Sequence, residues 1–217
     1  MASFKDWLIV VHVISGFTGF LLAPVAVFVK HGGKVHRLVG KIFSIGMLSA
    51  AITAWILVYI KPNPFLLMVG IFSSYMVCNG YRVLFRKKIT TTKQIPIIDW
   101  LIVLINLLAC IGLILKGIFS WLPGSFGYIA IVLGSLGSLL SFSDIKLFLK
   151  PSADKKMWLY VHIRNMIGAW IAAVTAFSAT NITFMPTVIQ WLWPSVIGGY
   201  AINYFTKKYK TSSKSVN

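Results

Sequence analysis

Four histidines, two aspartates set in apolar runs and two arginines set likewise are the side chains of this 217-residue chain whose chemistry could serve a function. The histidines are His12, His31, His36 and His162. Imidazole can ligate iron or zinc, or carry a proton near neutral pH. The aspartates are Asp99 and Asp144, and the arginines are Arg82 and Arg164. A charged side chain left unpaired at the centre of a membrane helix costs about 2.5–3.5 kcal/mol, so such groups belong to pairs or to sites. Two chemistries follow from the histidines. His36 and His162, placed at one depth, could ligate a single haem, with His12 as a third haem candidate that lacks a partner on its own side. His31, His36 and His162, joined by Asp99 or Asp144, could instead hold zinc and activate a water for hydrolysis. Neither set is a complete catalytic constellation. The sequence carries no Ser-His-Asp set in register, no glycine-rich phosphate loop and no metal signature at strict spacing.

The elements that must position these residues are helices. The chain is 58% hydrophobic and 12% charged, against about 45–50% and 25% in soluble domains. Seven stretches approach or exceed the roughly 20 apolar residues that cross a bilayer. They are Trp7–Val29, Leu38–Ile60, Asn63–Phe85, Pro96–Phe119, Gly124–Leu149, Met157–Phe184 and Pro186–Phe205. The spacing therefore predicts an all-α integral membrane protein. It is a single bundle of about seven transmembrane helices over residues 1–206, followed by a basic, disordered tail at 207–217. Proline and glycine mark the breaks, as at Gly32-Gly33, Pro62, Pro96, Pro123-Gly124, Pro151 and Pro186. The first stretch has no small-residue cleavage site after a short apolar core and reads as a retained helix. The sixth and seventh share almost no loop, so six helices and a re-entrant segment are the alternative there.

Orientation follows from the basic residues, 21 against 4 acidic ones for a net charge of +17. Seventeen of them fall after the first, third and fifth stretches and in the tail, while Lys5, Lys61 and Lys116 fall on the other side. Lysine and arginine gather on the cytoplasmic side of short loops. The amino terminus is thus expected outside and the carboxyl terminus inside, in a multi-pass protein of a bacterial inner membrane. The same residues exclude a nucleic-acid groove, because they form four short clusters at alternate helix ends and not one stripe. Their expected partners are anionic lipid headgroups on the cytoplasmic face.

Depth suggests pairing. At 1.5 Å per residue, Arg82 and Asp99 lie roughly 4–5 Å below the inner surface, and Asp144 and Arg164 roughly 7 and 10 Å below it. Arg82–Asp99 and Asp144–Arg164 are therefore expected to meet. An inner polar cavity lined by His36, Arg82, Asp99, Asp144 and His162 would solvate the whole set. On the sixth helix His162 and Arg164 lie about 200° apart, so they need not share a cluster. Small residues (Gly134, Gly137, Ser138 and Ser141 in the fifth helix; Ala169, Ala172, Ala173 and Ala176 in the sixth) suit close packing. Cys78 and Cys110 read as small buried hydrophobes.

His12 is followed by His36-Arg37-x-x-Gly40, by Asn79-Gly80-Tyr81-Arg82, and by His162-x-x-x-Met166 ahead of Thr175-Ala176-Phe177. In this arrangement the chain resembles an uncharacterised family of small bacterial polytopic membrane proteins, grouped as a domain of unknown function. The resemblance implies a seven-helix inner-membrane protein without an established activity, with His12, His36, Arg37, Arg82 and His162 as motif residues. The function expected is binding of a small ligand or lipid headgroup, as carrier, sensor or assembly factor, through His36, Arg37, Arg82, Asp99, Asp144, His162 and Arg164. The haem and zinc readings are the alternatives.

Overall fold

The computed structural model describes residues 3–119 and 126–214, with the side chains of residues 65 and 211–214 outside that description. Seven helices are present among the described residues: α1 (Phe4–Phe28), α2 (Lys34–Ile60), α3 (Pro64–Arg82), α4 (Ile97–Ile118), α5 (Phe126–Leu149), α6 (Met157–Asn181) and α7 (Thr187–Lys214). The expected break at Pro123-Gly124 lies outside the described residues. Four of the helices, α1, α2, α4 and α5, are long and apolar enough to cross a membrane. Their large apolar side chains face outward, as at Ile14 on α1, Leu108 on α4 and Leu139 on α5. Water would penalise such a surface, whereas lipid accepts it. Helices α3 and α6 are less apolar because they supply the polar groups buried inside.

Helix ends follow local chemistry. Ser3 and Asp6 form a reciprocal capping box at the start of α1, and Asn63 with Pro64 opens α3. Helix α2 begins at Lys34, earlier than the expected Leu38. His36 and Arg37 therefore stand in its first turn and not in a loop. Helix α7 continues through the basic residues of the expected tail to Lys214, so a disordered tail from residue 207 is not what the described residues show. Lysine is among the good helix formers, so the basic segment can extend α7.

Four helices form a ring in which α1 packs on α2, α2 on α3, α3 on α6 and α6 on α1. Helices α2 and α6 thus lie on one diagonal. The α4–α5 hairpin packs against α3, and α7 against α6. One buried cluster, including Phe43, Met47, Met76, Val103 and Phe148, fills the middle of this arrangement. Another, around Met68, Ile129 and Trp191, joins α3, α5 and α7. Pro24 shows how sequence and packing cooperate. Proline has no N–H, so a carbonyl one turn earlier loses its helical partner. The Phe20 carbonyl instead accepts from Trp170 Nε1 at 3.1 Å, which ties α1 to α6.

Candidate functional site

Both expected ion pairs form. Arg82 Nε donates to Asp99 at 2.7 Å, with a second bond from its Nη2 at 3.1 Å. Arg164 Nη2 donates to Asp144 at 2.7 Å. The carboxylates are 2% and 1% exposed, while the arginines keep part of their surface. Guanidiniums can reach the interface along their stems, but aspartate cannot, so burial falls on the acid.

The two pairs belong to one polar network. Asp144 also accepts from the Tyr75 hydroxyl and from Asn79 Nδ2. Asn79 Oδ1 in turn accepts from Arg86 at 2.6 Å. Arg86 stands 3.6 Å from Asp99, which closes the chain from one carboxylate to the other. Nearby, Asn106 of α4 donates to Ser141 of α5 at 2.9 Å. Tyr75, Asn79, Arg82 and Arg86 were not singled out as a set from the sequence, although their spacing of four, three and four marks one helical face. Arg86 read there as a loop charge. Its side chain is in fact buried and lies over the Phe148 ring at 4.8 Å.

The histidines occupy a different place. Each uses a ring nitrogen on a backbone carbonyl, and three of these carbonyls sit in the last turns of α1 and α3, where helices run out of partners. His36 Nδ1 donates to the Ala26 carbonyl at 2.9 Å, and His162 Nδ1 donates to the Gly80 carbonyl at 2.8 Å. His31 Nε2 donates to the Val27 carbonyl at 2.9 Å, and its Nδ1 accepts from the Tyr209 hydroxyl at 2.5 Å. His12, far along α1, donates to the Ala50 carbonyl at 2.9 Å and lies 3.2 Å from the Thr53 hydroxyl. A carbonyl can only accept, so in His36 and His162 the proton is on Nδ1 and Nε2 of the neutral ring keeps its lone pair.

His31, His36 and His162 line a cavity of about 410 Å³ between α1, α2, α6 and the end of α7. Its walls are mainly apolar, with Phe43, Met166 and Trp170 among them, and Arg37, Lys41 and Lys87 complete the lining. Lys87 is held over the Trp158 ring at 4.1 Å. The ring centroids of His36 and His162 are 6.4 Å apart, and those of His31 and His36 are 5.6 Å apart. Gly40, one turn beyond His36, also lines the cavity, and a Cβ there would meet nothing within 4 Å.

The expected single cavity is therefore divided. His36, Arg37 and His162 share the cavity just described. Asp144 lies instead on a second one of about 530 Å³ beneath the α3–α4 and α5–α6 connections, and Lys87 and Trp158 line both. Arg82 and Asp99 line neither of these two cavities. The reason is angular: His162 and Arg164 leave α6 in nearly opposite directions, so histidines and carboxylates cannot converge. For the same reason the zinc set of His31, His36 and His162 with an aspartate does not assemble. Both carboxylates are held by arginines, and both nitrogens of His31 are already bonded. Among the described residues no three His, Cys, Asp or Glu side chains gather as a metal site. No protein-family model, no curated protein and no solved structure matches this chain.

Proposed function

We propose that the chain is a binding protein of a bacterial inner membrane, with seven spans, its amino terminus outside and its carboxyl terminus inside. It belongs on this reading with the small polytopic family that its His36-Arg37-x-x-Gly40 and His162-x-x-x-Met166 motifs resemble. Its ligand is an anionic amphiphile, seated in the histidine-lined cavity from the cytoplasmic side as cargo, signal or assembly substrate. The observation that carries this is the make-up of the cavity: apolar walls deep between the helices, with Arg37, Lys41 and Lys87 added to them. Apolar walls with a few placed polar groups are what small-ligand sites require. The Asp–Arg network supports the bundle beside it and accounts for the remaining buried charge.

Two measurements check the reading. A cytoplasm-dependent fluorescent reporter fused after Asn217 is expected to be bright, and a periplasm-dependent enzyme at the same place inactive; the reverse result would overturn the orientation. In detergent, a dansyl-labelled long-chain fatty acid is expected to bind saturably. Reversing two basic residues with Arg37→Glu and Lys41→Glu removes about 1 kcal/mol of attraction each. The expected loss is thus roughly 30-fold in affinity or more. Unchanged binding after charge reversal would remove the cavity from the proposal.

A further inference from the structure

We infer that the amphiphile is an iron porphyrin, held in the cavity by axial bonds from His36 Nε2 and His162 Nε2. This rests on the cavity reading above and adds the identity of the occupant. Four independent features meet here.

The first is separation. Two imidazoles bound through Nε2 on opposite sides of one ion, each at about 2.0–2.1 Å, have ring centroids roughly 6 Å apart. The His36 and His162 rings stand at 6.4 Å. The second is orientation. A ligating histidine donates its other ring N–H to a carbonyl or carboxylate, which fixes the tautomer and raises its basicity. Both rings do so through Nδ1, onto Ala26 and Gly80 respectively. Neither Nε2 has a hydrogen-bond partner among the described residues. His31, by contrast, has both nitrogens engaged.

The third feature is architecture. The two histidines come from α2 and α6, which lie across the diagonal of the four-helix ring, while α1 and α3 supply the carbonyls. Diagonal helices are the pair between which a flat plate can sit with one face toward each. The fourth is room and charge. Gly40 leaves the α2 backbone open to the cavity one turn from His36, and the cavity volume lies within the ordinary range for small-molecule sites. A porphyrin carries two carboxylates on one edge, and Arg37, Lys41 and Lys87 provide the matching cations. His12 has no histidine facing it on α3, so the inference is one haem per chain, at the cytoplasmic end of the ring.

The test is a titration of full-length, detergent-purified protein with haemin, followed by optical and electron paramagnetic resonance spectra. Saturation at one haemin per chain is expected, with the spectrum of six-coordinate low-spin iron and sharp paired visible bands after chemical reduction. His36→Ala and His162→Ala are each expected to lose the low-spin spectrum and to bind at least tenfold more weakly. Added imidazole should restore the low-spin spectrum in His162→Gly, which a purely structural role for the ring would not produce. Gly40→Leu has free space at its Cβ, so its apoprotein should stay folded while haemin binding falls at least tenfold. His12→Ala, which lies outside the cavity, should keep the parent spectrum. A parent protein that gives no low-spin spectrum, or histidine variants that keep it, would refute the inference. If the dansyl fatty acid binds and responds to charge reversal while haemin does not ligate, the porphyrin is wrong and the amphiphile site stands. If neither probe binds, both readings fall.

Discussion

Replacing Asp144 with alanine is expected to destabilise the folded bundle by about 3–5 kcal/mol, the cost of stranding one partner of a buried ion pair. Asp144 is the hub of the buried network, accepting from Tyr75, Asn79 and Arg164 at once. Its removal leaves a guanidinium, a phenol and an amide in the bundle without their acceptor. Asp144→Asn keeps the shape but not the charge, and its loss should be smaller, nearer the 1.5–3 kcal/mol or so of a hydrogen bond to a charged group. Adding Arg164→Leu to Asp144→Ala should recover part of the loss, because the Arg164 guanidinium is then no longer stranded without its acceptor. Residues in contact couple by about 0.5–3 kcal/mol. Unfolding in mixed micelles by increasing sodium dodecyl sulfate, for Asp144→Ala, Arg164→Leu and the variant carrying both, measures this directly. A loss below about 1 kcal/mol for Asp144→Ala, with strict additivity, would mean that water already solvates the pair.

The second large effect is steric. Gly134 of α5 faces α4 so closely that a Cβ would lie 2.7 Å from the Cys110 carbonyl oxygen and 2.8 Å from Ile114 Cγ1. Part of that obstacle is helix backbone, which cannot rotate away as a side chain does. Gly134→Leu should therefore force α4 and α5 apart and cost about 1–3 kcal/mol or more. It should also pull the Asn106–Ser141 bond, made between the same two helices, out of range. Gly112 of α4 is the matched control, since a Cβ there meets nothing within 4 Å. Gly112→Ala should be neutral or stabilising by up to about 1 kcal/mol, the helix-propensity gain over glycine. Equal effects from the two substitutions would show that α4 and α5 do not approach at Gly134.

Much of the fold was legible because its signals are one-dimensional. Apolar runs of bilayer length and the proline and glycine between them specify helices and turns wherever the rest of the chain happens to be. Seven helices stand close to the expected positions, with differences of a few residues at ends such as Lys34 and Asn181 and a longer extension of α7 to Lys214. The small residues Gly134 and Gly137 suited close packing, and the structure makes α4 the helix they approach. Pairing was legible for a related reason. Depth is set by the count of residues from a helix end, and a buried aspartate must find a cation, so Arg82–Asp99 and Asp144–Arg164 could be matched by depth alone.

Azimuth was another matter. Counting along a helix says that His162 and Arg164 point apart, but not which neighbour each one meets. That depends on the ring of α1, α2, α3 and α6, which places His36 opposite His162 and turns Arg164 toward α5. One polar cavity was therefore expected where the histidines and Asp144 lie on different ones. Arg86 illustrates the same limit, since its place in a basic run read as solvent-facing until the packing of α3 against α4 and α5 buried it beside Asp99 and Phe148. Composition and periodicity settle which segments are helical and how far each charge stands from a helix end, because those are properties of one segment. Which histidines share a cavity, and which nitrogen of each remains free, depends on carbonyls contributed by other helices, and no single segment carries that information.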